Sequence, residues 1–260
     1  MAQVLRALLL KAFKRKKAPP LACHLSLDQD DEHIHTAACF LDVQPLALVE
    51  LFQSQSCQSC PPAVPGILEA TQHPNLQHVT YDVTYFDHTG WKDTHSNPRW
   101  DQRQKSYVRK WGRSTLYTPM VVVNGVADAG SGGGTKAEID GVVQRAREMQ
   151  HQMDWHIFLD TNDTHVKLDT DKLEIEPHDV NVIVYRASTE VVKIGKGPNK
   201  GKKVPHKNVV DQIVNIGTWN GGDNLYELPM TSAQMAPGMG AVAIVQGAQG
   251  GPVVAVAKIV

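Results

Sequence analysis

Leu46-Ala-Leu-Val-Glu-Leu-Phe-Gln-Ser-Gln-Ser-Cys-Gln-Ser-Cys-Pro-Pro62 holds an apolar run, a polar loop, two cysteines separated by two residues, and two prolines. The run from Leu46 to Phe52 is short and bounded by polar residues, which fits a buried strand. From Pro61 to His73 the pattern is helical. Pro61 and Pro62 suit a first turn, whereas Pro65 is expected to kink the helix or delay its regular start. A cysteine at a helix N-terminus faces unpaired backbone N–H groups and the positive end of the helix dipole. Both favour thiolate, which marks Cys57 as the nucleophile. Two intervening residues bring Cys60 within disulfide range, so Cys60 can resolve a mixed disulfide. The same Cys-x-x-Cys is half of a zinc site. The other half would come from Cys23 and Cys39 with His24, His33 and His35, at spacings that match no compact zinc module. No metal site and no cofactor are assigned.

Downstream, Gln77 to Phe86 alternates polar and apolar residues and reads as a second strand. A loop containing Gly90-Trp-Lys-Asp93 leads to a helix over 98–111. Tyr117-Thr-Pro119 then precedes the apolar run Met120 to Val123, and Asn124-Gly125 signals a hairpin. Thr135 caps a helix that runs to Gln150. The order strand, Cys-x-x-Cys, helix, strand, helix, proline, strand, hairpin, helix is that of the thioredoxin fold. In that fold a cis-proline sits beside the dithiol, which singles out Thr118–Pro119. After residue 152 the sequence changes to short β-like runs separated by turn residues, the signature of an all-β unit. The expected architecture is an α/β thioredoxin-like fold over 45–152 followed by an all-β, sandwich-like domain over 153–260. Residues 1–44 read as an N-terminal extension and linker.

Composition narrows the function classes. The 260 residues carry 26 basic and 27 acidic side chains, so a chain-wide basic footprint for nucleic acid is absent. No stretch approaches the ~18–20 apolar residues of a membrane-spanning helix. Residues 1–20 hold six basic and no acidic side chains. Their order does not fit a secretory signal, so the expected location is cytoplasmic, with a mitochondrial transit segment as the alternative. In a reducing compartment a Cys-x-x-Cys is more readily catalytic than structural.

Four stretches together resemble a thioredoxin-like family catalogued only as a domain of unknown function and largely bacterial. They are Val49 to Pro62, Gly90-Trp-Lys-Asp93, Gln102-Arg-Gln104, and Tyr117-Thr-Pro with Val122-Val-Asn-Gly125. A weaker match covers Val192 to Gly197 and Lys202 to Val210. The resemblance implies a thioredoxin fold with an appended β domain and a thiol–disulfide activity, and it supplies no substrate. Ser56 stands where thioredoxin itself has tryptophan, and Gln-Ser replaces Gly-Pro between the cysteines.

The remaining candidates carry two readings each. Glu50, seven residues before Cys57, either accepts the Cys60 proton from a buried position or faces solvent or an arginine. Tyr117 and Thr118 are expected to line the site. Trp91 and Gln102 form either a substrate-cleft wall or, with an Asp93–Arg103 pair, a clamp between loop and helix. Gly130 to Lys136 lacks phosphate-loop spacing. Lys193, Lys196, Lys200, Lys202, Lys203 and Lys207 read as a solvated hairpin loop, with anion binding as the alternative. The expected function is thiol–disulfide oxidoreductase, acting on a protein or small-molecule disulfide and served by a partner thiol system. The alternative is a non-catalytic binding scaffold whose dithiol is structural or holds a soft metal.

Overall fold

A computed structural model describes residues 45–259 except Ser131. The N-terminal extension, with its basic segment, Cys23, Cys39 and the His33/His35 pair, lies outside the described residues. Residues Gln44–Val260 hold together as one unit.

The strands in chain order are β1 (Ala47–Gln53), β2 (Leu76–Asp82), β3 (Met120–Val123), β4 (Ala127–Asp128), β5 (Ile157–Thr161), β6 (His165–Thr170), β7 (His178–Lys193), β8 (Lys203–Trp219), β9 (Asn224–Glu227), β10 (Met239–Gly247) and β11 (Val253–Ile259). The helices are α1 (Cys60–Ala70), α2 (Pro98–Lys110) and α3 (Lys136–His151). Eight strands form one mixed sheet in the order β11-β10-β7-β8-β2-β1-β3-β4, and β5-β6-β9 form a second sheet.

This corrects the expected fold class. The chain is mostly β, and strands from both halves of the sequence share one sheet. It is not a helix-flanked thioredoxin-like α/β layout followed by a separate sandwich. The joint is the parallel contact of β2 with β8 around Thr80 and Val209. Alternation assigns residues to faces of a strand but says nothing of which strand lies alongside.

Strand β1 is buried on both faces, which accounts for its unbroken apolar run. Val49 and Leu51 pack with Val121, Val123, α1 and α3. Leu48 and Phe52 pack on the other face, with Trp100 and Tyr107 of α2 and with Ile183, Val242 and Ile244 of the distal strands. The small sheet covers a third cluster around Leu168, Trp219 and Val245.

The polar residues of β2 are also buried. His78 meets the Thr71 hydroxyl at 3.1 Å, and burial pushes its pKa down to about 3. Thr80 donates to the Lys207 carbonyl at 2.6 Å. Asp82 pairs with His206 of β8 at 3.0 Å. These contacts oblige β8 to lie beside β2, because a buried polar group needs a partner. Pro65 lies inside α1, so the helix starts without the expected delay. Asn124 and Gly125 both take positive φ, at 47° and 64°, as the hairpin signal requires. Among the described residues no helix is long and apolar enough to cross a membrane.

A shared sheet predicts one calorimetric unfolding transition for residues 45–259, with equal calorimetric and van't Hoff enthalpies. Thr80→Val, which removes the hydroxyl at the joint, lowers stability by about 1 kcal/mol without splitting the transition. Two resolved transitions contradict the single sheet.

Candidate functional site

Strand β1 delivers the chain into a tight turn in which Cys57 N–H donates to Ser54 O and Cys60 N–H donates to Cys57 O. Ser59 is the helix cap and Cys60 the first residue of α1. Both thiols are free, with Cys57 3% and Cys60 0% exposed. Gln58 and Ser59 between them face solvent. The Cys57 thiol donates to the Thr118 carbonyl at 3.3 Å, and the Thr118–Pro119 peptide is cis. The Thr118 hydroxyl is buried with no hydrogen-bond partner.

The two sulfurs differ in character. The Cys60 thiol, hydrogen-bonding to the Cys57 sulfur, draws the Cys57 pKa down to about 6; burial opposes this, and Thr118 and the backbone N–H groups of Ser59 and Cys60 reinforce it. Burial, together with Cys57 beside it, pushes Cys60 well above the ordinary thiol range. The two thiols are therefore distinguished by environment, Cys57 being the one more readily deprotonated.

Two distant segments fix the loop that presents Cys57. From the first, Asp93 Oδ2 accepts the Gln55 N–H at 2.7 Å. Trp91 Nε1 donates to Gln55 Oε1 at 2.8 Å, and Ser56 Oγ donates to the Trp91 carbonyl at 2.6 Å. Burial and the neighbouring Asp82 push the Asp93 carboxyl up to about 8. From the second, Asn199 in the β7–β8 turn donates its side-chain amide to the Gln55 carbonyl at 2.9 Å and to the Cys57 carbonyl at 2.6 Å. Asn199 is wholly buried.

The predicted site residues separate. Cys57, Cys60, Thr118 and Pro119 come together, and Trp91 joins them through Gln55 and Ser56. Tyr117 donates its hydroxyl to Asp128 Oδ2 at 2.5 Å. Gln102 is exposed on α2. Its neighbour Gln104 is the buried one, donating to the Tyr117 carbonyl at 2.8 Å and so holding the segment before Pro119. Glu50 lies on the face of β1 opposite the dithiol; the β1 side chains that share a cluster with Cys57 and Cys60 are Ala47, Val49 and Leu51. Glu50 accepts from Arg103 Nε at 2.6 Å and from the Tyr107 hydroxyl, so its two oxygens are already engaged. The expected Asp93–Arg103 clamp is thus two separate contacts, Arg103 to Glu50 and Asp93 to Gln55. Asn199 escapes a sequence reading because Gly197-Pro-Asn-Lys-Gly201 looks only like a turn. The His206–Asp82 pair escapes it because its members lie on strands far apart in the chain.

Alkylation of Cys57 should be half-maximal near pH 6, slow below it where the thiol is protonated and fast above it. Thr118→Val should move that midpoint upward, as read from the pH profile of iodoacetamide labelling. Glu50→Ala strands a guanidinium that is 13% exposed and is expected to cost about 3–5 kcal/mol of stability in chemical denaturation. It should leave the labelling midpoint in place, whereas a shift would restore Glu50 to the proton path.

Three comparisons bear on this geometry. A crystal structure of a protein from Agrobacterium tumefaciens is 23% identical, with a TM-score of 0.63 over 83% of this chain and 95% of that one. The structure titled HBP35 of Porphyromonas gingivalis is 11% identical, with a TM-score of 0.52 over 82% of this chain and 74% of that one. Both likenesses are of fold alone. No curated protein matches the chain. The pattern of a family described as "Protein of unknown function (DUF1223)" matches residues 48–246, which takes in the dithiol, both segments that fix it and most of the shared sheet. The chain belongs to that family.

Proposed function

We propose that the protein is a thiol–disulfide oxidoreductase, with Cys57 as nucleophile and Cys60 as resolving cysteine. The observation that supports this most directly is the asymmetry of the two free thiols. One is held among hydrogen-bond donors at the mouth of a helix, and the other is sealed behind it. The thioredoxin-like character we propose belongs to this site: a dithiol set against the segment Thr118–Pro119.

Cys57 thiolate attacks one sulfur of a substrate disulfide. That S–S bond breaks, a Cys57–substrate disulfide forms, and one substrate sulfur leaves as thiolate. Cys60 then attacks the Cys57 sulfur, its proton passing to the departing thiolate, and the second substrate thiol is released. The dithiol loses two electrons and the substrate disulfide gains them. A partner thiol system restores the reduced state by the reverse exchange. As the first thiolate forms, the Cys57 S–H bond to the Thr118 carbonyl is lost, and the unpartnered Thr118 hydroxyl is placed to donate to the sulfur instead. Every step uses the chain's own sulfurs. The substrate is a protein or small-molecule disulfide.

The test is trapping. Cys60→Ser incubated with a small disulfide should accumulate a mixed disulfide on Cys57, visible by mass spectrometry after acid quench. The wild type should pass through that adduct to an internal disulfide, and Cys57→Ser should form no adduct at neutral pH. Adducts on Cys60, or none at all, contradict the assignment.

A further inference from the structure

The turn that carries Asn199 is rich in lysine. Lys193, Lys196, Lys200, Lys202 and Lys203 lie within eleven residues at the tip of the β7–β8 hairpin, and all are exposed. Lys92, also exposed, lies on the other segment that fixes the Cys57 loop. Among the described residues none of the six forms an ion pair. The Lys202 ammonium donates to the Asn199 side-chain oxygen at 3.1 Å.

The tip is built against the dithiol loop. Ile194 N–H donates to Lys202 O, Gly201 N–H to Ile194 O, and Lys202 N–H to Asn199 O, which orders the turn. It lies flat on Trp91: a Cβ at Gly195 would come within 2.8 Å of the Trp91 ring, and one at Gly197 within 3.3 Å of the Trp91 side chain. Asn199 then reaches from the turn to the carbonyl of Cys57 itself. The acidic groups on these two segments are already engaged. Asp93 is buried on Gln55 N–H, Asp87 accepts from Ser96 and from the Asp93 N–H, and Glu190 meets His95 and Arg186. Six exposed lysines therefore outnumber the carboxylates of Asp87 and Glu190 on the two segments that hold the Cys57 loop, in a chain whose formal net charge is only -1.

We infer that the β7–β8 tip is the substrate-docking surface of the dithiol and that it selects disulfides carried by acidic peptide segments. This rests on the oxidoreductase reading. Lysines spread along a hairpin tip match an extended acidic segment on either side of a substrate cysteine, and a positive border raises the encounter rate of such a partner, an effect that screens with salt. Lys202 has a second role, since it bonds the oxygen of the amide that holds Cys57. The docking charge is carried by the others.

The test uses the reduced full-length protein and two peptide disulfides of equal length, one flanked by Asp and Glu and one by Lys and Arg. Oxidation of the protein is followed by quenched-flow thiol counting. At low salt the acidic peptide should react about tenfold faster than the basic one, and the ratio should fall toward one as salt rises. Lys196→Glu/Lys200→Glu/Lys203→Glu should bring the ratio to one or below. Lys258→Glu, on strand β11 at the far edge of the sheet, should leave it unchanged. Equal rates for the two peptides, or a preference that survives the triple substitution, overturn the inference and leave the oxidoreductase reading standing. If glutathione disulfide shows the whole enhancement and the acidic peptide nothing beyond it, the occupant is a small anionic disulfide and the peptide assignment falls. If no disulfide exchanges at all, the oxidoreductase reading fails and this inference falls with it.

Discussion

Strand β2 buries His78, Thr80 and Asp82, and none of the three can be left unpartnered without a cost of about 1–3 kcal/mol each, or more for the charged group. Two of the partners, Lys207 O for Thr80 and His206 for Asp82, come from β8. That demand draws the long β7–β8 hairpin alongside β2. It also brings the tip of the hairpin over the end of β1, where the Cys57 loop begins. Burial opposes charge on His206, but Asp82 beside it outweighs burial and raises its pKa. His206 Nδ1 lies 2.6 Å from Gln53 Nε2, at the last residue of β1, so the buried pair and the dithiol loop share a wall.

Through this arrangement residues more than 140 positions apart shape one sulfur. Asn199 holds the carbonyls of Gln55 and Cys57 while Asp93 holds the Gln55 N–H. The backbone of the loop is thus fixed from both sides. Preorganisation of this kind lets nearby donors hold a thiolate without the loop having to rearrange. On the opposite face, Arg103, Glu50 and Tyr107 link β1 to α2, and Gln246 of β10 joins them through Arg103 at 3.3 Å. This buried polar network secures the strand that leads to the dithiol loop.

The elements of the site that were legible in the sequence are the local ones. Cys57 and Cys60 are set by a two-residue spacing and by the helix that follows, and Thr118–Pro119 by the apolar strand after it. The helices over residues 98–110 and 136–151 follow from their periodicity. What periodicity could not convey was partnership. The alternation in β2 shows two faces, but the apolar members face α2 while the polar members are sealed by α1 and β8. Alternation therefore does not reveal that strands from both halves of the chain share the eight-stranded sheet. Of the two readings of Glu50, the structure shows the one that faces an arginine, Arg103; in an almost wholly apolar strand the faces cannot be told apart by composition. Gln102 and Gln104 lie two residues apart on one helix, so they point to different faces, and Gln104 is the one that is buried and reaches the Tyr117 carbonyl. The lysines of the β7–β8 turn are exposed, as a solvated hairpin loop requires, and the position of Asn199 among them ties that turn to the Cys57 loop.

On the proposed function, Cys57 and Cys60 form a reversible redox couple. Equilibrating the protein in glutathione buffers of graded poise, and reading the dithiol fraction after acid quench, measures that couple directly. The account predicts one two-electron transition at a potential between about −300 and −120 mV, abolished in Cys57→Ser and in Cys60→Ser. A dithiol that stays reduced under the most oxidising buffer contradicts it, as does a disulfide that resists the most reducing one.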